Sequence, residues 1–140
     1  MRLNKLQIIN EKYNFSFEIP DKYSAVSEED YEDLNTDGSA LYVFEAGEDL
    51  ISLNYSGAAS DFNSVIQENI NSFKMIGVNL KEKIEEDNLC IIHLEFNPLK
   101  LVSIFVKVAK IIVVASIEVN EFNDNKENEL KTIFKSFKPL

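Results

Sequence analysis

The stretch DLNTDG, residues 33 to 38, sets Asp33, Asn35 and Asp37 at alternate positions and closes on Gly38. Calcium loops of the EF-hand type open in this way, because oxygen donors two residues apart converge on one cation and the glycine allows the sharp turn behind them. Such a loop needs a bidentate Glu at its twelfth position. Counting from Asp33, that position is Phe44, and Glu45 comes one residue late. The segment after Gly38 alternates like a strand, so a flanking helix is missing as well. Asp, Asn and Gly are also the residues that loops select for turns and left-handed backbone, so a plain connection accounts for them. Calcium affinity is expected to be absent or no tighter than about millimolar.

The sole histidine, His93, sits in LCIIHLEFN. Strand alternation puts Cys90, Ile92, Leu94 and Phe96 on one face and Ile91, His93 and Glu95 on the other, so Cys90 and His93 point to opposite sides. That geometry argues against a Cys-His nucleophile pair within the strand and makes Cys90 a small buried hydrophobe, slow towards thiol reagents. His93 beside Glu95 has the chemistry of a proton-transfer pair, but such pairs are common on strand surfaces. The structural reading is favoured.

Carboxylates cluster at Glu28 to Asp33, Glu45 to Asp49 and Glu85 to Asp87. Paired carboxylates can do acid-base work, yet each cluster falls in an expected turn or polar segment, where a solvated charge run is the default. The serines of DGSA and YSGAAS do not form a nucleophile elbow, and neither a P-loop nor a dinucleotide fingerprint occurs. The residues spell out no catalytic constellation and imply no cofactor or metal.

The elements that must position these residues read as follows. Residues 3 to 9 and 13 to 19 are two strands around NEK, the second with Tyr13, Phe15, Phe17 and Ile19 alternating with polar residues until Pro20 ends it. A long acidic connection follows. Residues 40 to 46 and 50 to 55 form a strand pair turning at Gly47 to Asp49. After Ser60, the N-cap candidate, the stripe Phe62, Val65, Ile66, Ile70, Phe73 and Ile76 predicts a helix that stops at Gly77. Four strands, 78 to 86, 89 to 97, 99 to 108 and 111 to 119, are joined by turns too short for anything but antiparallel neighbours. Leu130, Ile133, Phe134 and Phe137 predict a closing helix behind a polar, capping start.

Residues 101 to 106 and 111 to 117 are apolar at both parities, the pattern of central strands covered on both faces. The expected fold class is α+β, a twisted antiparallel β-sheet with amphipathic helices packed against it, in one domain spanning residues 1–140. The apolar fraction of 45%, with ten Phe and five Tyr, suffices for a core without disulfides. A formal charge of −10 repels phosphate backbones and anionic lipids, which excludes nucleic acid and membrane surfaces as favoured partners. One cysteine and no signal-like apolar run make a cytoplasmic location the simpler expectation.

The order YNFSFEIPDKY, strand pair, helix SVIQENINSFKMIG, four antiparallel strands and a closing helix ending IFKSFKPL resembles the PsbP/Mog1/DcrB-like superfamily. Phe17, Pro20 and Tyr23 correspond to its early aromatic-proline-aromatic strand, with Tyr23 where tryptophan is usual, and Ser136-Phe137 to the end of its last helix. The resemblance implies the sandwich fold and a binding protein, an adaptor or a chaperone-like module, rather than an enzyme. On this reading the partner is a protein of unspecified identity, homo-oligomerisation stays open, and the docking candidates are Tyr23, Glu28, Glu29, Asp30, Tyr31 and Tyr42. For Tyr23 and Tyr42 taken singly, completion of the core is the more economical role. The alternative function is a small enzyme or ligand carrier with a pocket beside His93 and Glu95.

Overall fold

The computed structural model describes residues 4–27, 40–96, 99–118 and 123–140. The strands are β1 (Lys5–Asn10), β2 (Phe15–Pro20), β3 (Ser24–Ala25), β4 (Ala40–Ala46) and β5 (Asp49–Ala58). After a short 3-10 turn come helix α1 (Phe62–Met75), β6 (Asn79–Glu86), β7 (Leu89–Phe96), β8 (Leu99–Val108), β9 (Ile111–Glu118), helix α2 (Asp124–Lys135) and β10 (Lys138–Pro139). Seven strands form an antiparallel sheet in the order β3-β4-β5-β9-β8-β7-β6, and a second, three-stranded sheet has the order β1-β2-β10.

The two-parity apolar strands lie at the centre of the larger sheet, as expected. Cys90, Ile92 and Leu94 of β7, Phe105 of β8, and Ile112 and Val114 of β9 face α1, where they pack with Ile66 and the half-buried Phe62, Val65, Ile70 and Phe73. Their alternate neighbours Ile91, Ile104, Val106, Val113, Ala115 and Ile117 point the other way, against Leu130, Ile133 and Phe134 of α2 and Phe15, Phe17 and Ile19 of β2. The layers are therefore α1, the large sheet, and a third layer shared by α2 and the small sheet. Cys90 is buried in the α1 layer, and burial pushes its thiol pKa up.

Two details of the helices differ from expectation. Ser60 falls inside the 3-10 turn, and the N-cap of α1 is Asp61 with no side-chain cap bond. Ile76 lies beyond the last turn as the C-cap and is 69% exposed, because the chain has already left the helical phase that buries Phe73. Gly77 does take the left-handed backbone that stops the helix, at φ +86°. α2 is capped as anticipated, with Asn123 Oδ1 accepting from the Lys126 N–H.

The β1–β2 hairpin leaves the main sheet and forms its own, completed by a strand that sequence patterning did not suggest. Lys138 and Pro139 pair with Ser16 and Phe15. Two residues before them, the Ser136 hydroxyl accepts from the Glu18 N–H at 2.8 Å and donates to the Ile133 carbonyl, so the end of α2 continues the edge of β2 without a strand. Phe137 then stacks on Phe17 at 4.5 Å between ring centroids. The Ser-Phe pair is the joint that closes the third layer.

Candidate functional site

The candidate residues named from sequence separate into three groups. Glu28, Glu29, Asp30 and Tyr31, with the DLNTDG stretch, lie outside the described residues. Tyr42, in β4, is half-buried; its ring packs edge-on to Phe17 and its hydroxyl accepts from Asn10 Nδ2 at 3.2 Å. Tyr23 is not available as a docking residue. It is 2% exposed because the chain turns inward after Pro20 and places the ring in the layer below α2.

The Tyr23 hydroxyl belongs to a polar cluster that sequence reading missed. It hydrogen-bonds the Glu129 carboxylate, which also meets Lys22 Nζ at 2.5 Å and Lys126 Nζ at 3.2 Å. Lys126 reaches on to Asp49 Oδ2 at 2.6 Å. Burial and the facing Glu129 push the Tyr23 pKa up to about 12. Burial by itself would raise the Glu129 carboxyl, but the hydrogen bonds from Lys22 and Lys126 outweigh it and hold the group below the ordinary range. Burial likewise works against the Lys126 charge and is overcome by Asp49 and Glu129, which leave its ammonium harder to deprotonate. The cluster ties the first turn of α2 to the β4–β5 hairpin and to the segment after β2. Its groups are paired and, Lys22 apart, largely shielded, which suits a clamp. Only the i, i+3 spacing of Lys126 and Glu129 is visible in the sequence.

His93 and Glu95 share a face of β7, as strand alternation predicts. The half-buried His93 has Nε2 3.6 Å from Glu127 of α2, whereas Glu95 is exposed. The hollow beside them, lined by Lys81, Glu82, His93, Leu94, Glu95, Leu101 and Val102, measures about 160 Å³. Ligand sites are usually about 300–1,000 Å³. Of two larger depressions, one of about 700 Å³ between the β6–β7 turn and the end of α2 is bordered mainly by charged and amide side chains, and one of about 450 Å³ between β2 and the outer face of α2 presents mostly apolar surface. Among the described residues no group of three His, Cys, Asp or Glu is placed to hold a metal ion. No described helix is long and apolar enough to cross a membrane.

Exposed apolar side chains lie at the margins of the sheets rather than in a cavity. Leu6 and Ile9 of β1 are 46% and 54% exposed, and Met75, Ile76 and Leu80 are exposed where α1 hands over to β6. Leu6 and Ile9 belong to a strand whose outer side pairs with no described strand.

No protein-family model matches the sequence, and no curated protein matches it either. Solved structures do. The chain is similar to the solution structure of cyanobacterial PsbP (CyanoP) from Synechocystis, with 14% identity over 100% of this chain and 95% of that one and a TM-score of 0.62. It is also similar to the Ran-binding protein Mog1p of Saccharomyces cerevisiae, with 8% identity over 97% of this chain and 95% of that one and a TM-score of 0.58. The two helices on an antiparallel sheet, the hairpin in a small sheet of its own and the near-complete overlap with both structures give this chain the PsbP/Mog1-like α+β fold.

Proposed function

We propose that the protein is a non-catalytic protein-binding module, an adaptor or chaperone-like domain that offers its sheet margins and the acidic connection before β4 to a protein partner. The observation that carries this reading is the match of fold, over nearly the whole of both chains, to a Ran-binding protein. The surface chemistry supports it: exposed apolar side chains stand at strand edges, where a partner's backbone and side chains can both engage. The connection containing Glu28, Glu29, Asp30 and Tyr31 starts after β3 and ends at β4, and these two strands pair with each other. Both its ends are thus anchored at one margin of the large sheet, with Tyr42 close by. Loops held by a rigid frame commonly carry recognition.

The test is purification of the protein from its native cell followed by mass spectrometry. A partner protein in fixed ratio is the expected result. A bound metabolite and no protein would favour a ligand carrier instead.

A further inference from the structure

The backbone of β1 has a direction that the hydrogen bonds fix. Glu18 of β2 turns its N–H and C=O towards Ser136, away from β1, and Ser16 turns towards β10. The cross-strand neighbours of Glu18 and Ser16 are Gln7 and Ile9, and Lys5 lies opposite Pro20, which has no N–H to give. In an antiparallel pair, residues opposite each other either exchange both bonds or turn both sets of groups outward. Lys5, Gln7 and Ile9 therefore present their N–H and C=O groups to the outer side of the small sheet, while Leu6, Ile8 and Asn10 bond to β2. Beside that row stand the exposed side chains of Leu6 and Ile9. Three exposed carboxylates, Glu11, Glu18 and Asp21, border the strand. Of the cations near the strand, Lys22 pairs with Glu129 and Lys12 lies over the Tyr13 ring, while Lys5 is an exposed charge on β1 itself.

We propose that β1 is the docking edge of the module and that its occupant is an extended, basic segment of a partner protein, which adds to the small sheet as a fourth strand. This rests on the protein-binding reading above and names the partner's chemistry. Main-chain bonds to Lys5, Gln7 and Ile9 supply the affinity common to all strand addition. The overall charge of −10, to which Glu11, Glu18 and Asp21 contribute at this edge, selects lysine- or arginine-rich sequence and opposes a second copy of this chain, which carries the same charge. Apolar side chains at alternate positions of the segment cover Leu6 and the neighbouring half-buried Ile8.

The probe is a short peptide alternating valine and lysine, with its valine-glutamate counterpart as the charge control, titrated into the full chain and followed by amide NMR. The lysine peptide is expected to shift the amides of Lys5, Gln7 and Ile9 and to bind roughly tenfold tighter than the glutamate peptide. Gln7→Pro removes one outward donor and leaves the β1–β2 bonds in place, so it should keep the melting temperature and abolish the shifts. Should that variant fail to fold, Ile9→Lys places a repelling charge at the same edge and should weaken the lysine peptide. The proposal is overturned by equal affinity for both peptides, by shifts confined to other strands, or by outward amides already protected in the free monomer. A concentration-dependent dimer lost in Gln7→Pro would also overturn it, in favour of a second copy. Native capture separates the two readings. A stoichiometric partner held equally by wild type and Gln7→Pro leaves the module reading standing and overturns the β1 edge; a bound metabolite with no protein overturns the module reading, and the peptide titration then decides the edge independently.

Discussion

Among the described residues two full-length strands stand at sheet edges, β1 on the small sheet and β6 on the large one, and they are made to opposite rules. β6 runs NLKEKIEE: Lys81, Glu82, Lys83 and Glu85 are exposed, Lys83 pairs with Glu85 at 2.9 Å, and the register slips between Leu80 and Glu82. Its last residue, Glu86, is pinned by Lys135 at 2.8 Å and Lys131 at 3.6 Å, and the Lys135 hydrogen bond lowers its pKa. Alternating charge and an irregular register are the usual defences of a strand edge against pairing with another chain. β1 runs KLQIIN, with a single charge, an unbroken register and two exposed aliphatic side chains. One edge is closed by chemistry and the other is left able to pair.

Removing the support beneath β1 should have the largest effect. Phe17 carries the small sheet on the core through Phe137, Tyr42 and Phe44. Phe17→Ala is expected to cost about 3–5 kcal/mol in denaturant unfolding. Ile84→Ala, at the half-buried site that seats β6, should cost visibly less. Equal losses would mean that the two edges are held alike.

The clamps behind the two edges should differ in their response to pH. Tyr23 has a folded-state pKa raised to about 12, above its unfolded value near 10. Its contribution is complete below pH 10 and disappears between about pH 10 and 12, a loss of about 2–3 kcal/mol. Glu129 has a depressed folded-state pKa, so its contribution is present above the ordinary carboxylate range and disappears as pH falls through the depressed value. Thermal melts of Tyr23→Phe across the alkaline range should show the loss reduced. Glu86→Gln, at the solvent-exposed clamp of β6, should leave both limbs almost unaltered.

Smaller effects follow from single polar groups. Ser136→Ala deprives the Glu18 N–H of its acceptor and is expected to cost about 1 kcal/mol, with faster amide exchange at Glu18. On β6, Lys83→Val combined with Glu85→Val should change stability by less than about 1 kcal/mol. It should nevertheless create concentration-dependent association in sedimentation, because the charges guard the edge more than they hold the fold.

Much of this architecture is legible in the sequence, since period-two and helical stripes survive wherever a face is buried. The double parity of Ile111 to Ile117 announces a strand covered on both sides, and Cys90 falls on the face its alternation assigns. Less legible are features that depend on distant partners. β3 and β10 have two residues each, too few for any periodicity, and exist because a neighbouring strand offers a ladder. The departure of the hairpin from the main sheet leaves no mark on Phe15, Phe17 and Ile19, which would alternate identically in either sheet. The Tyr23 cluster joins residues as far apart as Lys22 and Glu129, and each looks like an ordinary surface charge until the fold collects them. Tyr23 as a docking residue failed for the same reason: an aromatic after a proline carries no sign of whether it turns in or out.

The most direct measurement is residue-resolved hydrogen exchange along β1 in the free protein. An open edge predicts alternation, with the amides of Lys5, Gln7 and Ile9 exchanging quickly and those of Leu6, Ile8 and Asn10 protected by β2. Uniform protection of all six would show the outer side already occupied and would contradict the account.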